Sequence, residues 1–334
     1  MLGNLYKLID YEMYIYSYFQ GMKVGVAQLS PIWLNKAKTT EKIIDYIDKA
    51  GNEHCDLVVF GEGLLPGYPF WLAFTDGAKF NSQTQKEIYA HYLNEGVNVA
   101  AGDLETICAA AKQNKTAIYL GTIEKATDRG GHSLYCSLVY IDKQGQIQSV
   151  HRKLQPTYEE RLVWAPGDGH GLKVHQLEEF TVGGLNCWEN WMPLSRTALY
   201  AQGENLHVAV WPGCLRNTSD ITEFIAKESR SYVMSVSGLY RKEDVGDDLP
   251  YAELIRNSIP EGIANGGSGI MNPRGEWLME PIVDKEGLFT AELDMNFVYQ
   301  ERQNYDVAGH YGRPDVTKVV VNRSRQNILD ITGE

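Results

Sequence analysis

The stretch FTVGGLNCWENWMPL, residues 180–194, decides how this chain is read. It opens on an apolar run relieved by Gly183 and Gly184, which reads as a buried strand. Asn186 and Cys187 then fall on a turn, and Pro193 opens a helix in PLSRTALYAQG, where a proline at the first helical position loses no hydrogen bond. A strand, a tight turn and a helix in that order form the basic unit of an α/β fold. A cysteine on such a turn is ordinarily a small buried hydrophobe. The same turn is also where a nucleophile is exposed beside backbone donors able to hold an oxyanion.

Outward from this stretch the pattern repeats. Short Val- and Ile-rich runs occur at KVGVAQL, CDLVVFGE, TAIYLGTIE, LYCSLVYID, NLHVAVWPG, YVMSVSG and LFTAELD, and each reads as a buried strand. Helical spacing lies between them, with Ile43, Ile44, Ile47 and Ala50 in residues 40–54 and Ile107, Ala110 and Ala111 in residues 104–112. Two hairpins are expected, at YIDKQGQIQSV and at IMNPRGEWLME, where Asp, Gly and Pro supply the turns. Strands alternating with helices, plus hairpins, give a mixed α/β sheet system with helices on its faces. No low-complexity linker or solenoid-length repeat divides the chain.

Composition narrows the function. With 31 Lys and Arg against 43 Asp and Glu, the formal charge of −12 argues against nucleic acid or an anionic membrane as partner. The five cysteines are odd in number and widely spaced, without a CxxC pair, so a reducing cytoplasm fits better than a disulfide framework. Residues 1–21 hold five tyrosines, but Lys7, Asp10 and Glu12 interrupt them, so the segment is a poor signal peptide and too short and charged to span a bilayer. It reads as an extension before a first strand beginning at Met22. Among the eight histidines neither HExxH nor a compact Cys/His array occurs, so no metal is expected. The glycine clusters match no nucleotide-binding fingerprint, and GDGHG at residues 167–171 reads as a flexible loop.

Three further residues complete a chemistry around Cys187. Glu62 ends the strand of CDLVVFGE, where ligands bind in open α/β sheets; Leu64, Leu65, Phe70 and Trp71 beside it would desolvate the carboxylate and suit it to be a general base. The plain alternative is a solvated Glu or a cap. Lys153 and Glu160 lie in VHRKLQPTYEERLVW, which Pro156 and mixed charge mark as a loop. Their plain alternative is surface charge, with Arg152 beside the lysine and Arg161 beside the glutamate. A thiol nucleophile, however, needs a base for its proton and a cation for the charge of a tetrahedral intermediate, and Glu, Lys, Glu and Cys meet both needs.

Taken in order, the Glu of VVFGE, the Lys of HRKLQPT, the Glu of EERLVW and the Cys of CWEN resemble the nitrilase (carbon-nitrogen hydrolase) superfamily, and its true nitrilase branch in particular. PGYPFW, SLYCSLVYID, GLNCWENWMPL and GHYGRPD are similar to that branch as well, so the resemblance spans residues 22–313. It implies a four-layer αββα sandwich over residues 22–311. After Tyr311 the pattern itself loosens, and residues 312–334 read as a C-terminal arm of the kind that docks on the body or on a partner subunit. The resemblance also implies a homo-oligomer, a dimer or larger spiral, joined through the helix after the nucleophile and through ITEFIAKESRSYV.

The resemblance makes Cys187 the nucleophile, Glu62 the base, Lys153 the stabiliser of the tetrahedral intermediate and Glu160 the second carboxylate. Glu189 becomes structural, the backbone at Trp188 lies beside the substrate, and Tyr68, with Trp191, contributes to an aromatic entrance. No cofactor or metal is implied. The activity implied is hydrolysis of an arylaliphatic or aliphatic nitrile to an acid and ammonia. Trp191 departs from the more usual Tyr or smaller residue and puts substrate size in question. An amidase or carbamoylase of the same superfamily would carry an Arg-Phe-Pro-like segment where WENWMPL stands, and a cyanide-hydrolysing relative more often has His where Asn190 stands. A non-catalytic scaffold would not need four chemically competent residues at these positions.

Overall fold

The computed structural model describes residues 21–329, 332 and 333; residues 1–20 of the expected extension lie outside them. Two six-stranded sheets are built from β1 (Met22–Gln28), β2 (Leu57–Phe60), β3 (Ala117–Ala126), β4 (Ser133–Ile141), β5 (Ile147–Arg152), β6 (His175–Leu177), β7 (Phe180–Asn186), β8 (Leu206–Trp211), β9 (Tyr232–Ser237), β10 (Gly266–Met271), β11 (Trp277–Val283) and β12 (Gly287–Leu293). One sheet runs β12-β1-β2-β3-β4-β5 and the other β11-β10-β9-β8-β7-β6. Each has a parallel core of three strands, β1-β2-β3 or β7-β8-β9, extended by antiparallel strands. The last strand, β12, returns from the second half to pair with β1.

The helices are α1 (Lys36–Asn52), α2 (Trp71–Phe74), α3 (Gln83–Glu95), α4 (Glu105–Asn114), α5 (Pro193–Tyr200), α6 (Leu215–Ser229), α7 (Ala252–Ser258) and α8 (Met295–Asn304). Helix α1 begins earlier than its apolar spacing shows, because Asn35 caps it by accepting from the Lys38 amide. Its buried Ile43, Ile47 and Ala50 recur on one face. They pack with Ile107 and Ala111 of α4 on Val58, Phe60, Ile118 and Leu120, the outer face of the first sheet. Ile221, Ile225 and Ala226 of α6 cover Ala209, Trp211 and Val233 of the second. Between the sheets, Val24, Val26, Val59 and Leu138 of one meet Val182, Val208, Val210 and Met234 of the other. The layers are therefore helix, sheet, sheet, helix, as the resemblance implies. Both expected hairpins form, as β4-β5 and β10-β11.

Two loop readings need correction. Val150, His151 and Arg152 are strand, because β5 pairs with β4 up to Ser137 opposite Arg152, so the charged run leaves the sheet only at Lys153. GDGHG is pinned instead of flexible. Asp168 accepts from the His170 amide, from Arg325 at 3.0 Å and from the Gln326 amide at 3.0 Å, so residues of the C-terminal arm lie against it.

Candidate active site

Glu62 and Cys187 stand at the C-terminal ends of β2 and β7, one from each sheet, and Lys153 is the first residue after β5. The turn that carries Glu62 lies directly on β3. A Cβ on Gly121 would stand 2.1 Å from the Gly61 carbonyl oxygen, so only glycine lets the two backbones approach this closely. The Glu62 amide donates to the Trp211 carbonyl at 3.1 Å, which ties the base to the second sheet.

The four expected residues come together. All are at most 3% exposed. Lys153 Nζ bridges Glu62 Oε1 at 2.8 Å and Glu160 Oε2 at 2.7 Å. The carboxylate oxygens of Glu62 and Glu160 and the Cys187 Sγ lie within 4.8 Å of one another. Three such donors form a metal-like group, but the Lys153 ammonium already supplies the cation between the carboxylates. Glu160 belongs to a single 3-10 turn, residues 158–162, where Thr157 and Glu160 form a reciprocal capping box; Glu160 Oε2 accepts from the Thr157 amide and Oε1 from the Tyr68 hydroxyl at 2.7 Å.

Charge in this pocket follows from burial and neighbours. Burial pushes the Glu62 carboxyl up to about 7, against the pull of Lys153 and with the help of Glu160. Burial alone would discharge Lys153, but Glu62, Cys187 and Glu160 together hold it well above its ordinary value, so it stays an ammonium. The Cys187 thiol is driven well above its ordinary value by burial and by Glu62, although Lys153 and the Trp188 amide favour the thiolate. Cys187 therefore rests as a neutral thiol, and a thiol must lose its proton to act as a nucleophile.

The two oxygens of Glu62 are used unequally. Oε1 is taken by Lys153 and by Cys136 Sγ at 3.4 Å, whereas Oε2 is buried without a partner among the described residues. Cys136 was not singled out by its sequence. It sits on β4 in the alternation Cys136, Leu138, Tyr140, and the hairpin register that puts Ser137 opposite Arg152 sets Cys136 beside Lys153, whose amide donates to the Cys136 carbonyl at 2.7 Å. Register, and not composition, is the signal that finds it.

A carboxylate base must be ionised, so with Glu62 in the role expected of it kcat/KM should rise with pH through about 7. The Cys136 thiol helps hold the Glu62 carboxyl down, so Cys136→Ala should displace this limb to higher pH; an unmoved limb in a pH profile would dissociate Cys136 from the base.

Glu189 occupies the structural place expected of it. Buried between the strands, it accepts from the amides of Asn186 at 2.9 Å and of Leu154, and from His151 Nε2 at 3.1 Å. It thereby joins the backbone just before Cys187 to the backbone just after Lys153. Burial opposes its ionisation, but His151 and the two amides outweigh that and hold its carboxyl below the usual range.

Tyr68 lines a cavity of about 400 Å³ together with Phe70, Phe74, Pro212, Ile263, Arg216 and Glu159. The side chains of Trp188 and Trp191 are not among the residues lining it. They are 52% and 43% exposed and pack on each other with ring centroids 6.4 Å apart. A larger cavity, about 710 Å³, lies at the opposite ends of the parallel strands, lined by Glu53, Asp56, Glu178, Glu179 and Glu292 without a nucleophile.

Residues 23–303 match the model of the carbon-nitrogen hydrolase family. The chain belongs to that family. Within it, this carbon-nitrogen hydrolase is 33% identical to a nitrilase 2 from an unknown prokaryotic organism, over 92% of this chain and 95% of that one. It is 32% identical to the aliphatic nitrilase of Rhodococcus rhodochrous, over 94% and 82%. These matches set the hydrolase in the nitrilase branch. Its fold is that of an amidase from Nesterenkonia sp. AN1, solved as a variant after Michael addition of acrylamide at the active site cysteine. The two superpose with a TM-score of 0.58 at 16% identity, over 85% of this chain and 97% of that one.

Proposed function

We propose that this hydrolase converts an organic nitrile, arylaliphatic or aliphatic, into its carboxylic acid and ammonia through Cys187. The observation that carries the reading is the buried set of Cys187, Glu62 and Glu160, with Lys153 bonded to both carboxylates. Cys187 Sγ attacks the nitrile carbon as its proton passes to Glu62 Oε2. The nitrogen, now negative, is met by the Lys153 ammonium and takes the proton that Glu62 had received, which leaves a thioimidate and restores the Glu62 carboxylate. Glu62 then takes a proton from a water that adds to the same carbon and hands it to the nitrogen; the hydroxyl proton of the tetrahedral intermediate follows by the same route, so ammonia leaves and a thioester remains. A second water, deprotonated in the same way, releases the acid and restores the thiol. One nitrile and two waters give one acid and one ammonia, with each step carried by the chain's own side chains and water.

Glu160 acts on Lys153, keeping it charged and aimed, and Tyr68 fixes Glu160. The apolar part of the cavity beside Tyr68 suits a substituent of aliphatic or arylaliphatic character. The test is an ammonia-release assay on matched nitriles and amides. Stoichiometric ammonia and acid from nitriles support the reading, and faster turnover of the amides would replace it with an amidase.

The same reading makes the protein at least a dimer through α5 and α6. Leu194 on α5 is 71% exposed and Phe224 on α6 49%, and Met192 before α5 and Leu215 on α6 are exposed too, apolar side chains that a partner would cover. Light scattering of the active protein checks this, and an active monomer would refute it. Among the described residues no helix is long and apolar enough to cross a membrane. The five cysteines, all free, suit a reducing compartment such as the cytoplasm.

A further inference from the structure

Cys187 has φ of +48°, a left-handed conformation that an L side chain adopts only when its surroundings impose it. What imposes it is visible behind the turn. Asn190 Nδ2 donates to the Cys187 carbonyl at 2.8 Å and to the Leu185 carbonyl at 3.3 Å, spanning the residues on either side of Asn186. With the amide nitrogen directed at two carbonyls, its Oδ1 must accept, and it faces His207 Nε2 at 2.8 Å. The other ring nitrogen, Nδ1, meets both oxygens of Glu204 at 3.0 and 3.1 Å.

Asn190, His207 and Glu204 are each fully buried. None has a place in the reaction described above. Burying a carboxylate and an imidazole side by side under a strand is costly unless each polar atom is used, and the strand is cut to admit them: a Cβ on Gly183 would stand 2.2 Å from Glu204 Oε1. Arg302 of α8 holds the same residue from outside by donating to the Glu204 carbonyl.

We propose that Glu204, His207 and Asn190 form a buried positioning relay in which Glu204 orients the His207 ring, the ring presents its Nε2 proton to Asn190, and Asn190 clamps the Cys187 carbonyl so that the thiol is held at the attack position. This rests on the reading of Cys187 as nucleophile. The relay touches no substrate. Its loss should lower kcat and leave KM nearly unchanged, because the cavity beside Tyr68 is built from other residues.

The experiment compares Asn190→Ala, Asn190→Ser, His207→Gln and His207→Asn at equal folded fraction, judged by circular dichroism. Glutamine places an amide nitrogen near the position of Nε2 and restores the donor to Asn190, whereas asparagine reaches only as far as Nδ1. The two Asn190 variants and His207→Asn should lose about 10- to 100-fold in kcat, the scale of a small misplacement of a reacting group, with KM within about twofold. In the same three variants alkylation of Cys187 by iodoacetamide should slow in parallel, while His207→Gln keeps most of both rates. Equal losses in the two His207 variants, or Asn190 variants that turn over at the parent rate, would overturn the relay. If Cys187→Ala itself stays active, the functional reading fails instead, so the two failures are distinguishable.

Discussion

Cys187→Ala is expected to remove nitrile turnover, by a factor on the order of 10⁶ in kcat as for the loss of other covalent nucleophiles, while the fold survives. The thiol contributes little to packing. It is a small group beside Ala209 and Trp211, and deleting it should cost about 1 kcal/mol, the scale of one buried methyl-sized group. Its remaining partners are backbone atoms, which alanine keeps. Ammonia release measured beside circular dichroism and thermal unfolding separates the two effects. Full activity in a folded Cys187→Ala protein would remove the nucleophile from the mechanism and the nitrilase chemistry with it.

Lys153→Met should lose both activity and stability, and the stability loss should depend on pH. The ammonium is the sole cation shown bonded to the side chains of Glu62 and Glu160 among the described residues, and all three groups are at most 2% exposed. Removing one partner of a buried ion pair costs roughly 3–5 kcal/mol, because the other is left uncompensated. The sign with pH follows from Glu62. Its carboxyl is already raised by burial, and loss of Lys153 removes the main influence holding it down, so it rises further. A carboxyl whose folded value exceeds its unfolded value favours the fold below the unfolded value, and that contribution fades as pH climbs through the folded one. The variant should therefore be nearest to the parent in stability under mild acid and fall away above about 7, where Glu62 of the parent titrates. Thermal melts of both proteins across this range test it; a constant gap would mean that Lys153 does not compensate the carboxylates.

Half of the candidate site was legible in the sequence because Glu62 and Cys187 sit where local pattern is strongest. Glu62 and Cys187 close apolar runs, and a run that ends in a turn places its next residue at the sheet's edge. Lys153 and Glu160 carried no such signal and depended on the family resemblance; taken alone, two charged residues around Pro156 look like surface. Their burial arises from the β5 register and a capping box, both set by pairing partners far along the chain. Trp191 shows the opposite case. Its departure from the family pattern pointed to a residue that reshapes a pocket wall or packs beneath it; in the structure it lies on the 3-10 turn 187–191, where both tryptophans are about half exposed. Cys136 and His207 were invisible for a related reason: each lies within a strand, where a polar side chain gains meaning only from the neighbour across the sheet.

The return of β12 to pair with β1 bears on how the protein is made. Glu62 and Lys153 belong to the first half of the chain and Cys187 to the second, but β1 has no partner on its outer side until residues 287–293 exist. A ribosome delivers the chain from its N-terminus, so Cys187 emerges well before the sheet that carries Glu62 can close. The first sheet, which carries Glu62 and Lys153, thus lacks one of its six strands for some hundred residues after Cys187 has been made. A chain cut short between Cys187 and that strand would hold Glu62, Lys153, Glu160 and Cys187 but lack the strand that pairs with β1.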